Sequence, residues 1–413
     1  MKKVVPLANP FTVAAHSDSP QDIYCYSPGL LALPNGRLVV TMDFGGRGVG
    51  RLEGSGPDSF YPELSVLAQI LISDDNGKTW KVTGRFPFCH ARPFLVGNEI
   101  YVLGQHGDLK ITRSIDGGET WSEACSLTQG QIWHQAPSNV WYANGNVYLV
   151  MERVTDFNTG WPVNAMAPVL MRGKIGSDLL QRENWTFASE LVFHRIVREE
   201  NEEYHGVQFY SPKKDDRYAQ PLGWLETQVV QIFDEKSSWF DPSGHTFYLF
   251  MRTNTGISNI GAMAKVTENP DGSMTTGVAT APSGKEMILI PLPGGHVKFH
   301  ILYDKISQYY WLLSNQATDS LKRFDSMPPR RGDPVNERHR LALYFSRNCF
   351  DWCFAGIAAL TDDENAARSY ASMAIQGEDL LILSRSGDDH AKDNHDTNLI
   401  TLHRVENFRE LVY

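Results

Sequence analysis

The apolar residues of this chain come in short runs that stop at Gly, Pro or Asn, a pattern that predicts strands joined by tight turns. Leu67 to Ile72 and Leu109 to Thr112 are two such runs, rich in β-forming residues. Each leads into one turn pattern, Ser-x-Asp-x-Gly-x-Thr-Trp, seen in Ser73-Asp-Asp-Asn-Gly-Lys-Thr-Trp80 and again 41 residues later in Ser114-Ile-Asp-Gly-Gly-Glu-Thr-Trp121. Asp75 and Asp116 can accept hydrogen bonds from nearby backbone N–H groups, Gly77 and Gly118 can take positive φ, and Thr-Trp suits the strand that follows. A hairpin unit repeating at this interval has the period of four-stranded propeller blades. The expected fold is all-β, a six-bladed β-propeller of four-stranded antiparallel blades, with residues 1–413 as a single domain.

The blades can be placed along the chain. Residues 1–20 read as a lead-in strand that completes the last blade. Tyr24 to Asp43, two strands about Pro34-Asn-Gly36, opens blade one, and a Gly-rich loop from Gly45 to Gly56 follows. Blade two takes Pro93 to Gly97, Ile100 to Gly104 and Leu109 to Trp121. Blade three opens with Ile132 to Met151, and its end, Gly176 to Trp185, looks like a degenerate copy of the turn. Trp224 to Phe233 and His245 to Arg252 make blade four. Met287 to Phe354 make blade five, with strands at His296 to Tyr303, Tyr309 to Ser314 and Leu341 to Ser346, a loop at Pro328 to Pro334 and another degenerate turn at Ser346 to Trp352. Blade six runs from Tyr370 to Arg404. The charged segment 196–219 reads as a loop insertion, and the count becomes five or seven if it hides or mimics a blade.

Composition narrows the chemistry. A length of 413 residues with 42% hydrophobic residues and 10 Trp supplies a core and aromatic platforms for sugar rings. Cys25, Cys89, Cys125, Cys349 and Cys353 are odd in number and lack zinc spacing, so buried thiols are expected, with no metal and no cofactor. The net charge of −10, with no Lys/Arg tract, argues against a nucleic-acid partner. No run approaches the length of a membrane span, and Met1 to Pro10 has a basic start without the apolar core of a signal peptide. A cytoplasmic location is expected, or a secreted one if a leader was removed; the oligomeric state is not legible.

The Ser-x-Asp-x-Gly-x-Thr-Trp turns resemble the Asp boxes of the sialidase (neuraminidase) superfamily, and the blade rhythm extends the resemblance over nearly the whole chain. An Asp box is a folding device on the rim of a blade, so neither copy is expected to touch substrate. The resemblance implies a site at the central axis, where three arginines hold a substrate carboxylate, a Tyr activated by a Glu is the nucleophile and an Asp is the acid/base. A neutral nucleophile avoids repulsion with an anionic sugar.

Each role finds candidates here. Arg368 to Leu383 resembles the nucleophile strand, which makes Tyr370 the nucleophile, and Glu226 in Trp224-Leu-Glu-Thr-Gln-Val-Val230 resembles its partner. Arg252 falls where the second arginine does, and Arg338 or Arg340 where the third does. The first is the departure, because Tyr26 stands in its place and leaves the carboxylate clamp one bidentate guanidinium short. Asp58 and Glu63, on the loop Ser55 to Glu63, are candidate acids, with Asp43 a third. His90 with Arg92, His134, and His296 with Lys298 and His300 open blades, and so suggest a His-rich pocket near the axis that titrates near neutral pH.

The expected function is a sialidase-like exo-glycoside hydrolase acting on a glycan-terminal sugar, with the missing arginine arguing against sialic acid. A lyase on uronic-acid glycans and a non-catalytic carbohydrate-binding propeller are the alternatives; carbohydrate is the partner in all three.

Overall fold

The computed structural model describes residues 4–59, 61, 63–156, 162–197, 222–321, 337–363 and 366–413. Six antiparallel sheets stand around one axis as a six-bladed propeller. From the axis outward, blade 1 is Tyr24–Ala32, Leu38–Gly45, Ser65–Ser73 and Lys81–Phe86. Blade 2 is Cys89–Val96, Glu99–His106, Asp108–Ser114 and Cys125–Ser126. Blade 4 opens with Trp224–Val230 and Thr246–Thr253, and blade 5 is His300–Asp304, Tyr309–Asn315, Arg340–Ser346 and Cys353–Leu360.

Blade 6 is built from both ends of the chain. Arg368–Gln376, Asp379–Ser386 and Leu399–Val405 are completed by Phe11–His16, so the lead-in strand closes the ring as expected. Neighbouring blades bury both faces of each central strand: Val147 to Met151 are all fully buried. That burial explains why the sequence shows continuous apolar runs where a one-sided sheet would show alternation.

Two boundaries differ from the sequence expectation. Blade 4 extends through Ile260–Glu268 and Met274–Thr280, and Met287, expected to start blade 5, pairs with Ala279 of blade 4. The inner strand of blade 3 is broken into Trp133–His134 and Trp141–Ala143, with Pro137 in the gap, where it can donate no ladder hydrogen bond. The inner strand of blade 5 starts at His300, so His296 to Phe299 precede it. The expected insertion at 196–219 falls almost wholly outside the described residues, as does the loop Pro328 to Pro334.

The repeated turns join the two outer strands of blades 1 and 2. Asp75 Oδ1 accepts the N–H groups of Lys78 (3.0 Å) and Thr79 (2.9 Å), and Oδ2 accepts the Thr79 hydroxyl at 2.6 Å. Asp116 repeats this with the Thr120 N–H (3.0 Å) and hydroxyl (2.5 Å). Gly77 and Gly118 have φ of 82° and 91°, as the turn requires. Asn348 plays the same part in blade 5, its Oδ1 accepting from Phe350 and Asp351 at 2.9 Å each.

The Thr79 hydroxyl and N–H hold the Asp75 carboxyl down at about 2. A carboxylate depressed in the folded state stabilises the fold above its unfolded pKa, and the contribution is lost as pH falls through about 2. Asp75→Ala is therefore expected to lower the thermal midpoint by a few degrees at pH 7, with the gap to wild type closing under strong acid. Equal midpoints at pH 7 would show that the turn holds without its aspartate.

Candidate functional site

The first strand of four blades carries the same defect. In blade 1 the ladder pairs Tyr26 with Asp43 and then Gly29 with Thr41; in blade 2 it pairs Cys89 with Gln105 and then Arg92 with Leu103. Blade 4 pairs Leu225 with Arg252 and then Gln228 with Phe250, and blade 6 pairs Ser369 with Arg385 and then Ser372 with Leu383. Each is a bulge of one extra residue, and its first residue is left-handed: Ser27 (φ 50°), His90 (57°), Glu226 (59°) and Tyr370 (51°). Non-glycine residues in this region are strained by on the order of 1–3 kcal/mol each, so neighbouring structure has to hold them.

Polar side chains of the second strands reach these inner strands, and Asp43, Gln105, Arg252 and Arg385 stand opposite the residue before a bulge. Asp43 Oδ2 accepts the His90 N–H at 2.7 Å, and Glu152 Oε1 accepts the Thr227 N–H at 3.0 Å and its hydroxyl at 2.7 Å. Arg252 Nε donates to His296 O at 2.8 Å, and Asn315 Nδ2 to Arg368 O at 2.8 Å. Arg385 lies over the Tyr26 ring, its Cζ 4.0 Å from the centroid, and Gln105 Nε2 meets His90 Nδ1. Five of these six side chains reach the next blade and Gln105 stays on its own; Asp43 and Glu152 accept the N–H of a bulge residue, His90 and Thr227.

This scaffold brings Tyr370, Glu226 and Arg252 together. Arg252 Nη1 lies 2.7 Å from Tyr370 Oη and 3.2 Å from Glu226 Oε2, and all three residues are buried. Glu226 and Tyr370 are linked through this guanidinium and share no direct hydrogen bond. Burial opposes the charge on Arg252, but Tyr370 and Glu226 outweigh it and raise its pKa. Arg338 and Arg385 each place Cζ 5.0 Å from the Tyr370 centroid. Of the two candidates for the third arginine, Arg338 is the one at the axis; Arg340 is half-exposed and pairs with Glu337.

Tyr26 donates its hydroxyl to Asp396, which also meets His395 Nδ1 at 2.7 Å, while Arg385 donates to His395 O. The ring of Tyr26 lies directly over Gly45, where any side chain would collide with it. His90 and His134 meet edge to face at 5.0 Å. Burial holds His90 well below the ordinary histidine value and pushes His296 and His395 down to about 3. The expected titration near neutrality is corrected for His90, His296 and His300, where burial favours the neutral ring.

Arg92 and Lys298, expected to bind substrate, are each only 1% exposed. Lys298 Nζ donates to Ala371 O (2.6 Å), Ser372 Oγ (3.1 Å) and Tyr370 O (3.3 Å), which uses all three of its donors. Arg92 Nη2 donates to Val150 O at 2.9 Å. A cavity of about 330 Å³, which Arg92 also lines, is walled by Leu31, Phe94, Trp141, Tyr303 and Ile375. His300 lines it too, receiving the Met373 N–H at 3.3 Å.

The candidate acids separate clearly. Glu63 is exposed, and Asp58 is half-buried on its loop, accepting the Tyr61 N–H at 3.0 Å. Asp43 is buried beside the bulges of blades 1 and 2. Burial pushes its carboxyl up to about 8, against the N–H groups of His90 and Ala91 and the Ser27 hydroxyl. Arg385, His395, Asp396 and Glu152 were missed by the sequence reading. Their one signal is position: a polar residue ending the second strand of a blade, or the loop that follows it.

No family model matches the sequence, and no curated protein matches it. Solved structures do. A protein of unknown function from Dyadobacter fermentans is 12% identical with a TM-score of 0.55, covering 97% of this chain and 99% of its own. A Trypanosoma rangeli sialidase in complex with sialic acid is 12% identical with a TM-score of 0.53; the match covers 99% of this chain and 60% of the sialidase. A variant of an α-L-arabinofuranosidase from Fusarium graminearum, in complex with an iminosugar inhibitor, is 10% identical with a TM-score of 0.50, covering 97% of this chain and 98% of the other. At these identities the likeness is one of fold, a six-bladed propeller.

Proposed function

We propose that the protein is an exo-acting glycoside hydrolase whose nucleophile is Tyr370. The observation that carries this reading is the buried line from Tyr370 Oη through Arg252 to Glu226, mounted on two strained bulges. Tyr370 Oη attacks the anomeric carbon as the bond to the leaving oxygen breaks. Arg252 turns toward the substrate, and Glu226 takes the phenol proton. Asp43 gives its proton to the leaving oxygen, its carboxylate then deprotonates the water that breaks the Tyr–sugar bond, and Glu226 returns its proton to the departing Tyr370 oxygen.

Aryl glycosides of neutral and acidic sugars test the reading. Release of the aglycone supports it, while a folded protein that releases none refutes hydrolysis. An unsaturated uronate product would assign β-elimination to the same residues.

The acid is tested separately. Asp43 keeps its proton below about 8, so activity that needs it falls as pH rises through that value. Asp43→Asn retains an acceptor for the His90 N–H and is expected to lose roughly 10²- to 10⁴-fold on a substrate with a poor leaving group. On a dinitrophenyl glycoside, which needs no protonation, the loss should be small. If Asp58→Asn shows this leaving-group dependence and Asp43→Asn does not, the acid is Asp58.

A further inference from the structure

The cavity of about 330 Å³ is built from the inner strands at positions that follow their bulges. Gly29 to Ala32 come after Ser27, Arg92 to Phe94 after His90, and Ser372 to Ile375 after Tyr370. Tyr370, Glu226 and Arg252 do not line it. Its volume falls within the range of small-molecule sites, roughly 300 to 1,000 Å³.

Most of the wall is apolar. Trp141 stacks on Phe233 with ring centroids 5.8 Å apart, and Tyr303 packs against Phe233 at 4.8 Å. Phe233 is nevertheless 43% exposed, so an apolar guest gains by taking this surface out of water.

The polar groups of the wall divide into paired and unpaired. Ser372 Oγ donates to Pro28 O at 2.7 Å and accepts from Lys298, the Tyr142 hydroxyl donates to Leu95 O at 2.8 Å, and the Asn139 amide exchanges two hydrogen bonds with the Val229 backbone. Arg92 and His300 have donors to spare. Arg92 is fully buried; its Nη2 donates to Val150 O at 2.9 Å, its Nη1 has only Asn139 O at 3.5 Å, and its Nε makes no hydrogen bond among the described residues. Burial leaves this guanidinium a pKa of about 10, so it is charged at neutral pH. Glu152 lies within electrostatic reach of it, but makes its hydrogen bonds to Thr227 and Gln135 and does not line the cavity.

His300 Nδ1 accepts the Met373 N–H, so the neutral ring that burial favours carries its hydrogen on Nε2. The Met373 contact is the one hydrogen bond of that ring among the described residues. Lys305 adds an exposed ammonium group to the same wall. Buried polar groups are nearly always paired, so donors left over in an apolar cavity call for an acceptor carried on an apolar body. We propose that the cavity binds a small apolar monocarboxylate, whose body lies along Trp141, Phe233 and Tyr303 and whose carboxylate accepts hydrogen bonds from Arg92 and His300. This site is independent of the glycosidase reading.

Calorimetric titration of the purified full chain with 1-naphthoate and octanoate, and with 1-naphthalenemethanol and octanol as neutral counterparts, tests it. The wild type is expected to bind at least one of the acids and to bind the matching alcohol at least about tenfold more weakly, since a charge-assisted hydrogen bond is roughly twice as strong as a neutral one. Ile375→Trp places an indole in the cavity from a half-buried position and should abolish binding of acid and alcohol alike. Arg92→Met keeps a buried apolar stem and should weaken acid binding by roughly 10- to 100-fold, the range of a hydrogen bond to a charged group. Thermal unfolding shows whether each variant folds. The acid-to-alcohol selectivity of the wild type needs no variant, and Ile375→Trp locates the ligand without touching Arg92. No binding of either acid, alcohol bound as tightly as acid, or acid binding unchanged in folded Ile375→Trp each overturn the proposal. Turnover of aryl glycosides is read separately, so either proposal can fail while the other stands.

Discussion

Tyr370→Phe is expected to cut glycoside turnover by on the order of 10³-fold or more while leaving the protein folded, because it removes the one atom that bonds to substrate and almost nothing else. The ring is buried against Ala136 and Val297 and lies within cation–π reach of Arg338 and Arg385, all of which a phenylalanine preserves. Arg252 loses one acceptor and keeps Glu226 and His296 O. The stability cost should be about 1 kcal/mol, the ordinary value of one hydrogen bond. Steady-state rates and thermal unfolding on the same preparation check both halves. A variant that retains activity within tenfold would remove Tyr370 from the chemistry and turn the search to another group at the axis. A variant that loses activity together with its fold would show that the Oη–Arg252 bond is structural, and Glu226→Gln would then carry the catalytic question.

The legible part of this protein was the local part. The two Ser-x-Asp-x-Gly-x-Thr-Trp turns announce themselves because the hydrogen bonds of Asp75 and Asp116 that shape them lie within five residues, so sequence order and spatial order coincide. Tyr370, Glu226, Arg252 and Arg338 were placed by resemblance and by standing where strands begin or end. Arg385 was not, because nothing in Leu383-Ser-Arg-Ser386 distinguishes a residue that faces the axis from a solvated strand end. The partnership of Tyr26 and Asp396 joins positions 370 residues apart, a pairing that only ring closure creates. The bulges were equally silent. A left-handed backbone is usually signalled by Gly or Asn, but here it is occupied by Ser, His, Glu and Tyr, whose conformation is imposed by the neighbouring blade. The Asp43 carboxyl is one of three candidate acids in the sequence, and its burial is legible only in the structure, since composition carries no information on desolvation.

Those bulges give the axis its shape, and their latches account for where strain and chemistry meet. Asp43 and Glu152 reach the bulges of blades 2 and 4, whereas Arg252 and Arg385 reach toward blades 5 and 1. The ring therefore presents acidic latches on one side and basic latches on the other. A substrate spanning the axis would meet the proposed proton donor of blade 1 and the proposed nucleophile of blade 6 from different blades, as the proposed hydrolysis requires.

Glu152→Ala should produce the largest loss of stability of any single change at the axis. Glu152 is fully buried, and its Oε1 accepts the Thr227 N–H, the Thr227 hydroxyl and Gln135 Nε2 at 3.0, 2.7 and 3.4 Å. Truncation strands these donors in the interior and opens a void where the carboxyl was, at a cost of about 3 kcal/mol or more. Because Thr227 follows Glu226, the released strain is the strain that aims Glu226 at Arg252. Activity should fall along with the denaturation midpoint, even though Glu152 makes no hydrogen bond to Tyr370, Glu226 or Arg252. Glu152→Gln keeps an acceptor for the Thr227 N–H and should lose much less of both. Denaturant unfolding with parallel rate measurements separates the outcomes. Stability that falls in the alanine variant while turnover per folded molecule stays at the wild-type level would mean that Glu226 holds its left-handed conformation without the latch, and that blade 3 contributes to the core alone.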